Sequence, residues 1–309
     1  MNSEKETFQQ KNFVSKSLFY RLSQFLGFLV GARVFVAALL TFALYVSTFF
    51  LFNQDENFRS FVFDFKVHGI IFCTVLSILA GGIINQFYDF EKDYIVKPFR
   101  SRIQSFIKQK YFLYAYLILS VISLAVACII SYRVFIFFIV YQFFMWFYSH
   151  KLSRILILNN LTFVSLTLYP FFGMMVYYET FSKEVLLMAF FLFLILLCID
   201  IVKDTLTNSV DKAFGYHTIP NSFNNNISTL IIVFLIISTM TVSMKLIAKT
   251  GISGFMAYYF AVGLFVMILC VYFILNYTRQ GKLITISILR IWVFIGIISM
   301  LLNGIVGKL

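Results

Sequence analysis

Apolar segments recur along the whole 309-residue chain and are separated by short polar stretches. An α-helix needs about 20 residues to cross a hydrocarbon core of about 30 Å, and each segment comes close to that length, although the fourth is short. The pattern therefore predicts nine transmembrane helices and leaves no separate soluble catalytic domain. The predicted spans are residues 25–52, 67–87, 111–131, 134–149, 155–178, 184–202, 228–248, 253–276 and 283–305.

Composition supports the same fold class. The chain is 61% hydrophobic and only 12% charged, with 41 Phe and 18 Tyr against 3 Pro, which is far from the usage of a soluble domain. We therefore expect an all-α, polytopic membrane helical bundle. Residues 1–24 are polar, mixed in charge and unlike a secretory signal, so they are predicted to form a cytoplasmic tail before a single membrane domain, 25–309. The four cysteines lie singly in apolar segments and are predicted to be inert.

The distribution of basic residues predicts the orientation. With nine spans, the tail lies on the same side as the loops after spans two, four, six and eight. That side carries 16 Lys and Arg residues, and the opposite side carries 7. The positive-inside rule places the N-terminus and these loops in the cytoplasm, in a cell inner or plasma membrane. This topology explains most of the net charge of +12 without any nucleic-acid partner.

Acidic residues are rare and are concentrated in two places. Only 13 occur in the chain, and six of them lie just after span two or at the end of span six, on the predicted cytoplasmic side. Carboxylates at membrane depth are costly and usually have a partner or a cation, so this clustering indicates function. The six are Asp89, Glu91, Asp93, Asp200, Asp204 and Asp211.

Their spacing predicts two stripes of oxygen ligands. Residues four apart share one face of a helix, so the stretch NQFYDFEKD aligns Asn85, Asp89 and Asp93. Asp200 and Asp204 align in the same way, and Asp211 joins them if the helix continues that far. Two stripes of like charge would repel across a cavity unless cations lay between them. Mg²⁺ suits such a place, because it binds through one or two carboxylates plus substrate phosphates.

Basic residues beside the stripes predict the substrate class. Lys97, Arg100 and Arg102 follow the first stripe, and Arg binds phosphate in a bidentate manner. Lys151 and Lys203 lie on the same predicted side. Together they indicate a diphosphate with a hydrophobic tail, bound at the mouth of an apolar bundle. The interval of four spans between the stripes is expected of two four-helix halves that meet at a central cavity, with a ninth helix added.

These motifs resemble the UbiA-type intramembrane prenyltransferases. NQFYDFEKD is similar to the N-x-x-x-D-x-x-x-D motif of that family, and KPFRSR, residues 97–102, is similar to its K-P-x-R segment. YSHKLSR, residues 148–154, resembles the Tyr-Ser-x-x-Lys stretch after the fourth helix, with its lysine one residue early. DIVKD, residues 200–204, followed by DKAFGYHTIP, residues 211–220, resembles the second aspartate motif. The resemblance covers nearly the whole chain.

The resemblance implies a nine-helix bundle that ionises an isoprenyl diphosphate with Mg²⁺ and transfers the prenyl group to a lipophilic acceptor. It implies catalytic roles for Asp89, Asp93, Asp200, Asp204 and Tyr148. It implies diphosphate binding by Lys97, Arg100, Arg102, Lys151 and Lys203. It implies metal binding by Asn85, Asp89, Asp93, Asp200, Asp204 and Asp211.

The chain departs from the family pattern at three positions. Gln86 stands where many members have Asp, and Thr207 and Val210 stand where the second motif often has Asp and Gly. The second motif can accordingly be aligned to begin at Asp200 or at Asp204. Arg33, within the first span, is a further candidate, because the first helix of the family often carries an Arg near the acceptor.

Three functions remain open from the sequence. The acceptor of a prenyltransferase could be an aromatic quinone or pigment precursor or a prenylglyceryl phosphate. A terpene cyclase on the same scaffold would share the metal motifs and need no acceptor. A transporter is a remote alternative, because its acids would lie near the membrane midplane rather than at helix ends.

Overall fold

The computed structural model describes residues 21–53, 58–249, 254–276 and 278–308, and all regular structure in these ranges is helical. The predicted tail, 1–24, lies mostly outside them, and residues 21–24 already belong to a helix. The helices are α1 (21–31), α2 (Val34–Ser47) with a π-helical continuation (Thr48–Phe52), α3 (Phe58–Val62), α4 (Phe65–Tyr88), α5 (Phe90–Val96), α6 (Pro98–Gln104), α7 (Gln109–Ile130), α8 (Tyr132–His150), α9 (Leu158–Tyr177), α10 (Lys183–Ala213), α11 (Ile219–Ser222), α12 (Asn225–Lys249), α13 (Gly254–Leu275) and α14 (Arg279–Lys308).

Nine helices in the described ranges are long and apolar enough to cross a membrane. They are α2 with its continuation, α4, α7, α8, α9, α10, α12, α13 and α14, so the predicted all-α membrane fold and the predicted number of spans are confirmed. The sequence also specifies several of their ends. Ser182 caps α10, where its side chain accepts a hydrogen bond from Val185 N, and Pro98 occupies the first turn of α6, where no N–H is needed.

The first predicted span, 25–52, is broken in the structure. Helix α1 ends at residue 31, and Arg33 adopts the left-handed region with φ of 54° before α2 begins. The membrane-length helix of this region therefore starts at Val34 rather than at residue 25. The break was invisible to hydropathy, because the residues on both sides of it are apolar.

The sixth membrane-spanning helix, α10, is longer than the apolar segment that predicted it. The prediction ended at residue 202, where charged residues begin, but α10 continues to Ala213. Asp200, Asp204 and Asp211 therefore lie on one helix, which meets the condition set by the sequence for a shared stripe.

The chain divides into two compact units. The first unit comprises residues 1–39 and 72–142, and the second comprises 40–71 and 143–309. Ala32, Ile83 and Phe112 form a small buried cluster in the first unit. In the second unit, α10 packs against α9, α12 and α14 around a large apolar core, and most residues in the middle of α10, 191–202, are buried in it. This packing fixes α10, whose far end carries the acids.

Candidate active site

The first acidic motif lies across a helix junction. Helix α4 ends at Tyr88, Asp89 adopts φ −94° and ψ 8°, and α5 follows at once. The i→i−4 hydrogen bonds nevertheless persist along the motif: Asp89 N donates to Asn85 O at 3.0 Å, and Asp93 N donates to Asp89 O at 2.8 Å. The four-residue spacing thus holds through the junction, so the three predicted ligands stay in register.

Side chains in this motif pair with one another. Asn85 Nδ2 donates to Asp89 Oδ2 at 2.7 Å, and Lys97 Nζ donates to Asp93 Oδ1 at 2.8 Å. Asp93 is 4% exposed, and its Oδ2 atom has no hydrogen-bond partner among the described residues. A buried carboxylate oxygen without a donor is costly and suits a cation ligand.

The two predicted phosphate-binding arginines differ in how far they are exposed to solvent. Arg102 is exposed, whereas Arg100 is partly buried and donates from Nη2 to Val30 O at 3.0 Å. Burial and then the nearby charge of Arg33 lower the pKa of Arg100, while Asp93 acts in the opposite direction. Arg33 and Asp93 therefore both lie within electrostatic reach of Arg100.

Gln86, the departure from the family motif, is packed into the helix interface. It is 3% exposed, and a Cβ added at Gly31 would lie 2.7 Å from Gln86 Oε1. The close approach of α1 and α4 needs this glycine. An aspartate at position 86 would therefore place an extra charge against the backbone of α1 rather than extend the stripe.

The second acidic motif is organised by an asparagine on α9. Asn160 Nδ2 donates to Asp200 Oδ2 and to Asp204 Oδ2, each at 2.8 Å. Asn159 Nδ2 makes a longer contact of 3.5 Å with Asp204 Oδ2. All four side chains are buried, so the two carboxylates are held at the α9–α10 interface rather than in open solvent.

Lys203 and an aromatic pair lie beside these acids. Lys203 Nζ donates to Asp200 Oδ1 at 2.9 Å and lies 5.6 Å from the centroid of the Phe163 ring. The Tyr148 ring centroid lies 6.1 Å from that of Phe163. Phe163 therefore lies near both Tyr148 and Lys203, and Lys203 in turn pairs with Asp200.

Asp211 closes the second stripe at the end of α10. It is 1% exposed, and Thr207 Oγ1 donates to its Oδ2 at 2.6 Å. The loop that follows is tied to the loop after α8: His217 N donates to Arg154 O at 3.1 Å, and the Arg154 guanidinium lies 5.3 Å from the Tyr216 ring centroid. Lys151, in the same loop after α8, is exposed.

The donor set fits Mg²⁺ in chemistry. The candidate ligands supply only oxygen, and each stripe offers carboxylates beside a lysine. Across the described part of the chain, no three His, Cys, Asp or Glu side chains form a ready-made metal cage. Mg²⁺ needs none, because it keeps waters and takes phosphate oxygens from its substrate.

Comparison with known proteins agrees with this assembly. The UbiA prenyltransferase family model matches residues 55–294, which contain both acidic motifs. The chain belongs to the UbiA prenyltransferase family. The resemblance found in the sequence is confirmed, and members of this family transfer prenyl groups.

One relative matches this UbiA-family chain in sequence over about half of its length, and solved structures match its fold over most of it. It is 31% identical over 175 residues to digeranylgeranylglyceryl phosphate synthase of Methanosphaera stadtmanae. That match spans 55% of this chain and 62% of the relative. A solved structure concerning digeranylgeranylglyceryl phosphate synthase has a TM-score of 0.68 at 19% identity and covers 93% of this chain and 99% of the other.

A further structural neighbour carries ligands. A UbiA homologue from Archaeoglobus fulgidus, bound to GPP and Mg²⁺, has a TM-score of 0.63 at 13% identity and covers 89% of this chain and 99% of its own. At such identity the likeness establishes the fold, and the fold is the one predicted.

Asn159 and Asn160 are the site residues that sequence reasoning missed. The sequence held one signal: two adjacent amides, ILILNNLTF, at the mouth of an otherwise apolar fifth span. A search for charge alone passes over them. Their role depends on a contact between residues 40 and 44 positions apart, which helical periodicity within one segment cannot reveal.

Proposed function

We propose that this chain is an Mg²⁺-dependent intramembrane prenyltransferase that ionises an isoprenyl diphosphate and transfers the prenyl group to a lipophilic acceptor. One observation carries the proposal: each acidic motif holds a buried aspartate paired with a lysine, Asp93 with Lys97 and Asp200 with Lys203. A carboxylate for a cation and an ammonium for a phosphate stand side by side in both places. The family, and the neighbour bound to GPP and Mg²⁺, support this function.

The acidic motifs would hold the metal. Asn85, Asp89 and Asp93 form one set, and Asp200, Asp204 and Asp211 form the other. When bound, Mg²⁺ neutralises charge that develops on the departing diphosphate.

Basic side chains would bind the remaining phosphate oxygens. Lys97 and Lys203 are already positioned by Asp93 and Asp200, so they lose less side-chain conformational entropy when substrate binds. Each ammonium has three N–H donors and can bind a carboxylate and a phosphate together. Arg100, Arg102 and Lys151 complete the proposed set. Tyr148 is proposed to donate a hydrogen bond from its hydroxyl group to a phosphate oxygen.

The apolar bundle would protect the reactive prenyl group. An allylic cation must be kept from water, and aromatic faces stabilise positive charge. The Phe163 ring, between Tyr148 and Lys203, already faces a cation at 5.6 Å. No side-chain nucleophile is required for departure of the diphosphate.

For the acceptor, we propose a prenylglyceryl phosphate. Two digeranylgeranylglyceryl phosphate synthases are among the similar proteins. The first unit also offers a further cationic group suited to an acceptor phosphate, because Arg33 is not among the diphosphate-binding residues and its Nε is buried without a hydrogen-bond partner within the described ranges. An aromatic acceptor would need no such additional guanidinium group.

Product analysis tests this function. Membranes containing the protein are incubated with labelled prenyl diphosphates of several chain lengths and Mg²⁺, with a prenylglyceryl phosphate, with an aromatic acceptor, or with neither. Mass spectrometry should find a prenylated glyceryl phosphate. A cyclic hydrocarbon formed without acceptor would establish a cyclase, and a prenylated aromatic ring would overturn the acceptor assignment. Absence of diphosphate release in all of these mixtures would overturn the proposed enzymatic function.

A further inference from the structure

Asn160 joins two helices through two acids. Its side chain is 1% exposed, and its amide nitrogen lies 2.8 Å from one oxygen of Asp200 and 2.8 Å from one oxygen of Asp204. A primary amide has two N–H donors, so each carboxylate receives one of them. The bridge thus ties α9 to one face of α10 at the acidic motif.

This residue type has a particular electrostatic consequence. Two carboxylates four residues apart on a helix repel, and burial strengthens the repulsion. A lysine or arginine at position 160 would relieve it, but would also cancel the negative charge that attracts a cation. The asparagine amide stabilises both anions through hydrogen bonds while leaving their charge in place.

The oxygen of the same amide gives a second observation. Because carboxylate oxygens only accept, Nδ2 must face the two acids and Oδ1 must face away from them. Asn160 Oδ1 is buried and has no hydrogen-bond donor in the described part of the chain. A buried amide oxygen without a donor is ready to receive a water or a cation brought in with substrate.

We propose that Asn160 is a positioning residue that holds Asp200 and Asp204 as a preformed pair for the metal–diphosphate complex. This inference rests on the proposed function, since it assumes that these acids bind the metal. Partners of this kind fix the orientation of metal ligands, and their loss typically weakens metal binding about 10–100-fold.

The test measures metal binding directly. Mn²⁺ replaces Mg²⁺, and its binding to the protein is measured in detergent solution by equilibrium dialysis with the same concentration of inorganic diphosphate on both sides, so that Mn²⁺ held by diphosphate alone is subtracted. Asn160→Leu keeps a side chain branched at the same atom but has no donor, and Asn160→Ser keeps one donor. We expect the leucine variant to bind Mn²⁺ about 10–100-fold more weakly than the wild type, with the serine variant between them.

A matched control separates positioning from general packing. Gln142 Nε2 donates across helices to Ser77 Oγ at 3.1 Å and Ser120 O at 3.5 Å, which are neutral acceptors in the first unit. Gln142→Leu should lower the melting temperature and leave Mn²⁺ affinity unchanged. Equal loss of Mn²⁺ affinity in this control and in Asn160→Leu would overturn the positioning role.

The remaining outcomes are equally decisive. Wild-type Mn²⁺ affinity in Asn160→Leu overturns the inference and leaves the proposed function intact. If the leucine variant does not fold, the serine variant decides, and wild-type affinity there has the same meaning. Failure of the wild-type protein to bind Mn²⁺ with diphosphate would overturn both.

Discussion

Lys97 Nζ lies 2.8 Å from Asp93 Oδ1, so the base that follows the first acidic motif is already bonded to its last carboxylate. Lys97→Gln should leave a buried carboxylate without its cation, which costs about 1–3 kcal/mol of unfolding free energy. It should also raise KM for the prenyl diphosphate, because the positive charge that binds phosphate is lost although the amide remains a hydrogen-bond donor. Thermal unfolding and steady-state kinetics measure the two effects.

Lys92→Gln is the control for that variant. It removes the same charge from a position off the stripe and should change neither quantity appreciably. Lys97→Arg should recover much of the stability. A wild-type KM in Lys97→Gln would show that Lys97 serves only to pair with Asp93.

Tyr148 offers a separation of chemistry from packing. Its ring lies 6.1 Å from Phe163, and a phenylalanine in its place would preserve that contact. Tyr148→Phe should therefore melt close to the wild type but turn over roughly 10–100-fold more slowly, because a hydrogen bond to a charged phosphate is lost. Tyr148→Ala should lose stability as well. Unchanged turnover in the phenylalanine variant would remove Tyr148 from the site.

The proposed orientation can be measured with single cysteines. Ser105, just after α6, and Arg133, at the start of α8, are both exposed and lie beyond opposite ends of α7. With the four native cysteines replaced by serine, an impermeant maleimide should label Arg133→Cys on intact cells. Ser105→Cys should react only after the membrane is permeabilised. The reverse pattern would place the acidic motifs outside the cytoplasm.

Much of this molecule follows from local sequence rules. Hydropathy predicts the nine spans, and four-residue spacing predicts the registers of Asn85, Asp89 and Asp93 and of Asp200 and Asp204, because both signals depend on a single helix. Helix length was less predictable: α10 runs past residue 202 to Ala213. Charged residues end a hydrophobic run without ending a helix, and Ser182 specifies only its beginning.

The remainder depends on contacts between distant segments. The break at Arg33 follows directly after the point where α1 packs most closely against its neighbours. At that point Gly31 leaves room for the side chain of Gln86 and for the ring of Phe112. Asn160 gains its meaning only when α9 packs on α10 and presents its amide to two acids. The sequence pattern within α9 alone does not predict this role, because an asparagine in the first turn of a helix is commonly explained by helix capping.

The proposed role of the two acidic motifs is to release diphosphate with Mg²⁺. Its most direct test is Mg²⁺-dependent diphosphate release by purified wild-type protein, Asp89→Ala, Asp204→Ala and the exposed control Glu91→Gln. We expect release by the wild type and Glu91→Gln and none by either alanine variant, although both variants stay folded in detergent. Full release by Asp89→Ala or Asp204→Ala would contradict it.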